Sequence, residues 1–190
     1  MRRILNMKNM RKFSIFISST YEDLKKERQA LVGVALENNL IPVGMEQFHA
    51  APTSQWNVIT KMINESDLYL LVIGGRYGSI DKETGLSYTE KEYNYAKTKG
   101  LPVFVLIKET SAISESEKDT GKDKYDKMKR LDEFRKRAEN DGNTVDYFTD
   151  LDSLRYAASA TFRNVIDYVD ANAGSVRYRD IAHIINEEVG

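Results

Sequence analysis

Residues 66–107 constrain the fold of this chain more than any other part of its sequence. Residues 68–73 are a continuous apolar run that stops at Gly74-Gly75, which is typical of a strand buried on both faces. The spacing Ser87-x-x-Glu90 predicts a capping box at the start of a helix, with Ser87 accepting from the first turn and Glu90 reaching back. A second apolar run covers residues 102–107. This order of strand, glycine-rich loop, helix and strand predicts a loop at the carboxyl edge of a parallel sheet, where α/β folds bind ligands.

Strand-like and helix-like segments also alternate along the rest of the chain. Thr20-x-x-Asp23 predicts another helix start, and that helix shows an apolar stripe that includes Leu31, Leu36 and the stem of Arg28. Alternating elements with buried strands predict an α/β fold of the flavodoxin-like class, with about five parallel strands in the order 2-1-3-4-5 and helices on both faces. The other predicted strands are 13–17, 40–43 and 143–148, and the other predicted helices are 21–39, 55–65, 125–140, 151–172 and 178–188.

Composition divides the chain into one domain and two flanking segments. Residues 13–172 form the predicted domain, which matches the length expected of a single well-developed core. Within it, residues 108–124 are rich in Ser, Glu, Lys, Asp and Thr and are predicted to be a mobile charged excursion. Residues 1–12 are a basic N-terminal arm, and residues 173–190 are a C-terminal helical tail.

The composition also excludes several classes of site and partner. A formal net charge of −1 argues against a protein whose main task is to neutralise nucleic-acid phosphates. The absence of cysteine excludes thiolate metal sites and cysteine nucleophiles, and two histidines exclude a site with three histidine ligands, so we expect no metal site. No apolar run has the length of a membrane span, and the N-terminus lacks a signal-peptide core. We therefore expect a cytoplasmic protein without a membrane partner.

The loops after the first four strands share one edge of the predicted sheet, where hydroxyls, glycines, an arginine and aromatic rings converge. Exposed N–H groups and an arginine suit phosphate, while rings suit a base, so this edge predicts a nucleotide or sugar-phosphate pocket. The third loop lacks the glycine spacing of the dinucleotide fingerprint, and no G-x-x-x-x-G-K-[ST] sequence occurs. The predicted binding residues are Ser18, Ser19, Thr20, Tyr21, Met45, Phe48, Gly74, Gly75, Arg76, Tyr77 and Tyr88.

Glu92 is the candidate catalytic residue. It follows Tyr88 by four positions on the predicted helix, so both side chains project from one face near the helix start. The positive end of the helix favours an ionised carboxylate there, which could stabilise an oxocarbenium-like centre or act as a nucleophile at a ribosyl carbon. The alternative is that Glu90 and Glu92 only complement the helix dipole.

Four segments of the chain resemble a bacterial TIR-like family catalogued as a domain of unknown function. The family is related to TIR domains and to nucleoside deoxyribosyltransferase-like folds, and the resemblance is strong over about residues 13–107 and looser beyond. The segments are F-I-S-S-T-Y-E-D-L-K-K-E-R at 16–28, I-P-V-G-M-E-Q-F at 41–48, S-D-L-Y-L-L-V-I-G-G-R-Y-G-S at 66–79 and G-L-S-Y-T-E-K-E-Y-N-Y-A at 85–96.

This resemblance implies an enzyme that acts on NAD. Catalytic TIR domains carry a W-x-x-x-E-like helix start whose glutamate cleaves the nicotinamide–ribose bond, and the similar segment here places that role on Glu92. Tyr88 stands where such enzymes often have tryptophan, and Thr89 where many have cysteine. The resemblance implies NAD as a substrate, no separate cofactor, and ADP-ribose or a cyclised derivative as the product.

The resemblance also implies a homo-oligomer that serves bacterial antiphage defence, with an effector protein encoded nearby. Two other functions stay open at this point. Relatives with this fold also act as non-catalytic interaction modules or nucleotide sensors, and the charged excursion and terminal helix would then be contact surfaces. The third possibility is a nucleoside deoxyribosyltransferase-like enzyme that acts on free nucleosides.

Overall fold

A parallel sheet forms the centre of the structure, a computed structural model that describes residues 12–44 and 55–172, with side chains described as far as residue 165. Its strands are β1 (Ser14–Ser19), β2 (Ile41–Val43), β3 (Leu68–Ile73), β4 (Val103–Lys108) and β5 (Thr144–Phe148). The strand order is β2-β1-β3-β4-β5, and every neighbouring pair is parallel. This order confirms the predicted flavodoxin-like α/β fold, with β5 at the edge as its low apolar content indicates.

The helices cover both faces of the sheet. They are α1 (Lys25–Glu37), α2 (Gln55–Glu65), α3 (Tyr88–Thr98), α4 (Lys124–Asn140) and α5 (Leu151–Asn172). One buried cluster joins α1 and α5 to the sheet through residues such as Leu31 and Phe162. A second cluster joins α2, α3 and α4 to the opposite face, with Ile63, Tyr93 and Phe134 among its members. The domain therefore has three layers, with the sheet between two helical layers.

β3 is buried on both faces, as its continuous apolar run predicts. All of its residues are buried, and successive side chains enter opposite clusters: Leu70 and Val72 face α1 and α5, while Leu71 and Ile73 face the other helices. Full burial of each such side chain contributes about 1.5–3 kcal/mol. The strand thus supplies a firmly packed base for the loop that follows Ile73.

The N-terminal end of α1 differs from the prediction. The helix starts later than expected, and no side chain caps it, so the predicted Thr20 cap is wrong. The Asp23 carboxylate instead accepts the backbone N–H groups of Gly75 (2.9 Å) and Arg76 (3.2 Å) in the loop after β3. Because Asp23 makes this long-range contact, the residues before α1 are irregular rather than helical.

Leu36 is also placed differently from the prediction, because it is exposed rather than part of the buried face of α1. It lies five residues after the fully buried Leu31, and therefore about 140° around the helix from it. The remaining boundaries of strands and helices within the described residues agree with the prediction to within two residues.

The β4–α4 segment (residues 109–123) packs against the loop after β3. It forms two 3-10 turns, Thr110–Ala112 and Glu115–Glu117. Lys108 at the end of β4 is buried between two carboxylates, with Nζ 2.5 Å from Glu117 Oε1 and 3.1 Å from Glu27 Oε1 of α1. These two ion pairs join the segment to the sheet edge and to α1. The mobility expected for residues 108–124 stays a prediction.

Several predictions concern residues outside the described ones. They are the arm over residues 1–11, the tail over 173–190 with its helix at 178–188, and the binding residues Met45 and Phe48. Among the helices of residues 12–44 and 55–172, none combines the length and apolar character needed to cross a membrane.

Candidate active site

A cleft of about 820 Å³ opens at the carboxyl edge of the sheet, where the loops after β1 and β3 meet the start of α3. Its size is that of a small-molecule site. The sequence-predicted residues that line it are Ser19, Thr20, Tyr21, Arg76, Tyr88 and Glu92. Gly78 and Ser79 also line it, and they belong to the loop after β3 that the sequence places at this edge. Lining residues that sequence reasoning missed are Glu22, Arg28, Gln55, Ile59, Thr89, Asp119, Thr120 and Lys127.

Glu92 lines the cleft and makes a buried hydrogen bond with Ser18 of β1. The Ser18 hydroxyl donates to Oε2 of Glu92 across 2.5 Å, and Glu92 is only 6% exposed. Burial raises the pKa of Glu92 from 4.5 to about 7, although the Ser18 hydrogen bond and the charge of Arg28 both lower it. The carboxylate therefore exists in both ionised and protonated forms near neutral pH.

Tyr69 of β3 adds to the low-polarity surroundings of Glu92. It is fully buried, and its ring stacks on Phe16 with centroids 5.7 Å apart. Burial and the nearby charge of Glu92 raise the pKa of Tyr69 well above its ordinary value. The phenol thus stays neutral. Sequence reasoning missed this neighbour because Tyr69 sits inside an apolar run.

Arg28 of α1 brings a buried positive charge to the cleft. Its Nη1 donates to Oγ of Ser19 at 2.8 Å, and its charge lowers the pKa of Glu92. The sequence pattern predicts only a packing role for the apolar stem of Arg28 in the helix. A signal was present, because an arginine on the buried stripe of a helix must bring its guanidinium to a polar partner.

The start of α3 is built differently from the predicted capping box. Ser87 accepts the backbone N–H of Glu90 at 3.2 Å, as predicted. The backbone N–H of Ser87, however, donates to the hydroxyl of Tyr77 at 3.1 Å, so the expected return contact from Glu90 is wrong. Glu90 instead accepts from the Tyr77 hydroxyl at 2.5 Å and from Arg137 of α4 at 2.7 Å. Tyr77 lies outside the cleft lining and supports the helix end that carries Tyr88.

Gly74 and Gly75 allow three segments to approach one another closely. A Cβ at Gly74 would lie 2.4 Å from Oδ2 of Asp23, and one at Gly75 would lie 2.6 Å from the carbonyl oxygen of Glu117. Neither glycine lines the cleft. The structure therefore gives both glycines a packing role, and their predicted contact with a ligand stays a prediction.

Asp119 of the β4–α4 segment occupies the backbone N–H groups of Tyr77 and Gly78, the two residues that follow Arg76. Its Oδ2 accepts the N–H of Tyr77 at 2.6 Å and that of Gly78 at 3.3 Å. The Asp23 carboxylate accepts in the same way from the N–H groups of Gly75 and Arg76. The two carboxylates therefore occupy the loop N–H groups that the sequence predicts as donors to a ligand phosphate. A ligand phosphate could reach the donors of Tyr77 and Gly78 only if Asp119 moved away.

Two exposed aromatic rings and several charges line the cleft. Tyr21 is 58% exposed and Tyr88 is 36% exposed. The Nζ of Lys25 lies over one face of the Tyr21 ring, 4.7 Å from its centroid, so a planar ligand would stack on the other face. The charged lining residues are the cations Arg28, Arg76 and Lys127 and the acids Glu22, Glu92 and Asp119. Within the described parts of the chain, no group of three or more Asp, Glu or His side chains is arranged to hold a metal ion.

A family described as a domain of unknown function (DUF4062) matches residues 14–163, a range that includes every residue of the cleft lining. The chain belongs to the DUF4062 family. No curated protein matches its sequence.

Solved structures are similar to this DUF4062 chain at low sequence identity. The CMP N-glycosidase BcmB of Clostridium botulinum is 14% identical, with 78% of this chain and 98% of that chain covered and a TM-score of 0.46. The TIR domains of the activated Roq1 resistosome, which recognises the pathogen effector XopQ, are 14% identical, with 93% and 85% covered and a TM-score of 0.44. Because these sequence identities and TM-scores are low, the fold class is assigned from the observed strand order, and the chemistry is argued from the cleft residues.

Proposed function

We propose that this protein cleaves the bond between nicotinamide and ribose in NAD, with Glu92 as the catalytic carboxylate. The observation that carries the proposal is the buried Glu92 carboxylate, bonded to Ser18 and lining a cleft of about 820 Å³. A carboxyl group whose pKa is raised to about 7 at a ligand-sized cleft is typical of functional sites. The resemblance of residues 87–92 to the helix start of catalytic TIR domains supports NAD as the substrate.

The ionised form of Glu92 would act at the ribosyl carbon. Nicotinamide is a pyridinium in NAD, so when the C1′–N bond breaks, its electron pair returns to the ring nitrogen and neutral nicotinamide leaves without a proton donor. The Glu92 carboxylate would stabilise the cationic carbon left behind, or form a short-lived ester with it. Water then adds at C1′ and releases one proton, giving ADP-ribose. An internal nucleophile of the substrate would give a cyclised product instead.

The other cleft residues suit the remaining parts of a dinucleotide. The exposed rings of Tyr21 and Tyr88 would stack on the base or on nicotinamide. Arg76 and Lys127 would bind the negatively charged pyrophosphate, and the Thr20 hydroxyl would contact ribose. We propose NAD as a substrate, with no separate cofactor.

A second candidate is an N-glycosidase or deoxyribosyltransferase-like enzyme that acts on nucleosides with neutral bases. The raised pKa of Glu92 favours it, because a neutral base needs a proton as it leaves and protonated Glu92 would supply one. The two candidates differ in pH dependence. Cleavage of NAD needs the ionised carboxylate and rises through about pH 7, while cleavage of a neutral nucleoside needs the acid and falls.

The setting we propose is a cytoplasmic homo-oligomer in bacterial antiphage defence, acting with an effector protein encoded nearby. It would consume NAD or make a signal derived from ADP-ribose. The support for this setting is the resemblance to TIR-like proteins. We propose no membrane or nucleic-acid partner.

The experiment that tests the function is a comparison of substrates at several pH values. The purified chain, concentrated to favour self-association, is incubated with NAD, with a related nucleotide and with free nucleosides, and the products are separated by chromatography. Nicotinamide release that increases with pH supports the first candidate. Base release from nucleosides that decreases with pH supports the second. Saturable nucleotide binding without any turnover would contradict both and favour a sensing module.

A further inference from the structure

We propose that the backbone N–H groups of Tyr77 and Gly78 form a phosphate subsite of the cleft, and that Asp119 occupies this subsite until a phosphorylated ligand displaces it. This proposal rests on the proposed function, because the subsite borders the same cleft as Glu92. The new element is the regulation of that cleft. A side chain of the β4–α4 segment competes directly with the phosphate of the substrate.

The geometry is that of an anion site built from main-chain donors. The N–H groups of Tyr77 and Gly78 converge on a single oxygen, Oδ2 of Asp119, at 2.6 and 3.3 Å. Gly78 has a φ of 89°, in the left-handed region that occurs where successive N–H groups form an anion-binding concavity. A carboxylate oxygen and a phosphate oxygen make the same demands on such donors.

The surroundings add positive charge to these donors. Lys127 Nζ lies 3.8 Å from Oδ1 of Asp119 and 3.4 Å from Oδ2 of Asp123, and Lys127 lines the cleft together with Asp119. The Lys127–Asp119 distance is that of a salt bridge without a hydrogen bond. A phosphate has more oxygens and more charge than a carboxylate, so it could bind the two N–H groups and Lys127 at once.

Asp119 is placed to leave without unfolding the segment that carries it. The segment is held to the sheet by the ion pair between Lys108 and Glu117 and by the hydrogen bond from Arg76 Nη2 to the Ser116 carbonyl at 3.1 Å. Both anchors precede Asp119 in the chain. The other end of the segment is fixed at Asp123, whose carbonyl oxygen accepts the backbone N–H of Lys127 in α4 at 3.0 Å. Release of Asp119 therefore requires a shift only of residues 118–122, between these two fixed ends. Asp119 would reduce the apparent affinity for phosphate in proportion to the time that it occupies the site.

The test measures the affinity of the full chain for inorganic pyrophosphate and for adenosine by calorimetry. Asp119→Ala removes the competing carboxylate, and Asp119→Asn removes its charge while keeping an oxygen acceptor. Asp123→Ala is the matched control, because Asp123 pairs with the same Lys127 but does not contact the N–H groups. We expect pyrophosphate to bind about tenfold more tightly to Asp119→Ala, with Asp119→Asn in between and Asp123→Ala unchanged. Adenosine should bind equally to all four proteins, and pyrophosphate should shift the amide resonances of Tyr77 and Gly78.

The proposal is overturned if both Asp119 variants, shown by circular dichroism to be folded, bind pyrophosphate no more tightly than wild type, or not at all. An equal gain in pyrophosphate affinity in Asp123→Ala would also overturn it, because loss of a carboxylate partner of Lys127 would then explain the tighter binding without any role for the N–H groups. NAD turnover by the same variants separates this proposal from the proposed function. The expected pyrophosphate result without turnover supports the subsite alone. Turnover with equal pyrophosphate affinities supports the enzyme alone.

Discussion

Ser18 of β1 donates its hydroxyl proton to Glu92 of α3 across 2.5 Å, although the two residues are 74 positions apart in the chain. The bond joins the first strand to the helix that follows the glycine-rich loop. This hydrogen bond and burial have opposite effects on the pKa of Glu92, because burial raises the pKa and the Ser18 hydroxyl lowers it. Burial therefore dominates the pKa of Glu92, and a hydroxyl from a different element lowers that pKa.

Ser18→Ala should shift the midpoint of the pH–rate profile to higher pH. Without the hydroxyl, the pKa of Glu92 rises above its present value of about 7, so the ionised form appears at higher pH. The measurement is the pH–rate profile for nicotinamide release. Ser14→Ala, at the other end of β1 and in contact with Asp67, is the control and should leave the midpoint unchanged. A midpoint that stays in place or falls in Ser18→Ala would contradict the proposed role of this bond.

Glu92→Gln should change how stability depends on pH. Because burial raises the pKa of Glu92 from 4.5 to about 7, the folded protein retains a proton that the unfolded chain loses in this range. The stability from this group is fully present below pH 4.5 and is lost as pH rises through about 7, by about 3 kcal/mol. The unfolding free energy of Glu92→Gln relative to wild type should therefore increase by most of that amount, about 2.5 kcal/mol, between about pH 5 and pH 8.

Urea denaturation at the two pH values checks this prediction. The control is Glu133→Gln, because Glu133 is an exposed acid on α4 whose side chain is 66% accessible. Its unfolding free energy relative to wild type should change little with pH. A constant difference between Glu92→Gln and wild type would show that Glu92 titrates near its ordinary value.

Tyr77→Phe should destabilise the domain by about 2 kcal/mol, since the buried N–H of Ser87 and Oε2 of Glu90 both lose the Tyr77 hydroxyl, and Glu90 keeps only its contact with Arg137. The Tyr77 hydroxyl accepts the N–H of Ser87 and donates to the Glu90 carboxylate at the start of α3. Thermal or urea unfolding measures the loss. Tyr95→Phe removes a hydroxyl whose described partner is the exposed Asn64, and it should have a much smaller effect. Equal losses in the two variants would contradict the special role of Tyr77.

Gly74→Ala should destabilise the protein, while Gly33→Ala should not. A Cβ at Gly74 would lie 2.4 Å from Oδ2 of Asp23, which cannot move without losing its bonds to the loop after β3, so a loss of about 1–3 kcal/mol is expected. Gly33 lies within α1 and has open space around its Cβ position, so alanine there should stabilise by up to about 1 kcal/mol. Urea denaturation of wild type and both variants measures the changes in unfolding free energy. A Gly74→Ala protein as stable as wild type would contradict the close contact between Gly74 and Asp23.

Much of the fold could be predicted from the sequence because its signals are local. The run over β3 and the periodic spacing in α2 and α5 each depend on neighbouring residues, and their predicted boundaries match the structure. The start of α1 could not be predicted in this way. It depends on the Asp23 carboxylate, whose partner Gly75 lies 52 positions further along the chain.

The candidate site could be predicted where topology alone brings residues together. Ser19, Tyr21, Arg76 and Glu92 line one cleft because parallel strands end at one edge of the sheet. Asp119 was missed, because its segment is a run of charged residues of the kind that usually faces solvent. Its contact with Tyr77 spans 42 positions, which no local pattern indicates.

The most direct test of the proposed function is nicotinamide release from NAD by wild type, Glu92→Gln and Glu22→Gln. Glu22 is the matched control, because it is a second acid of the same cleft whose side chain is 64% exposed. We predict release by wild type and Glu22→Gln, and a loss of about a hundredfold or more in Glu92→Gln, since the carboxylate that stabilises the ribosyl cation is then absent. Release by Glu92→Gln at the wild-type rate would contradict the assignment of Glu92 as the catalytic residue.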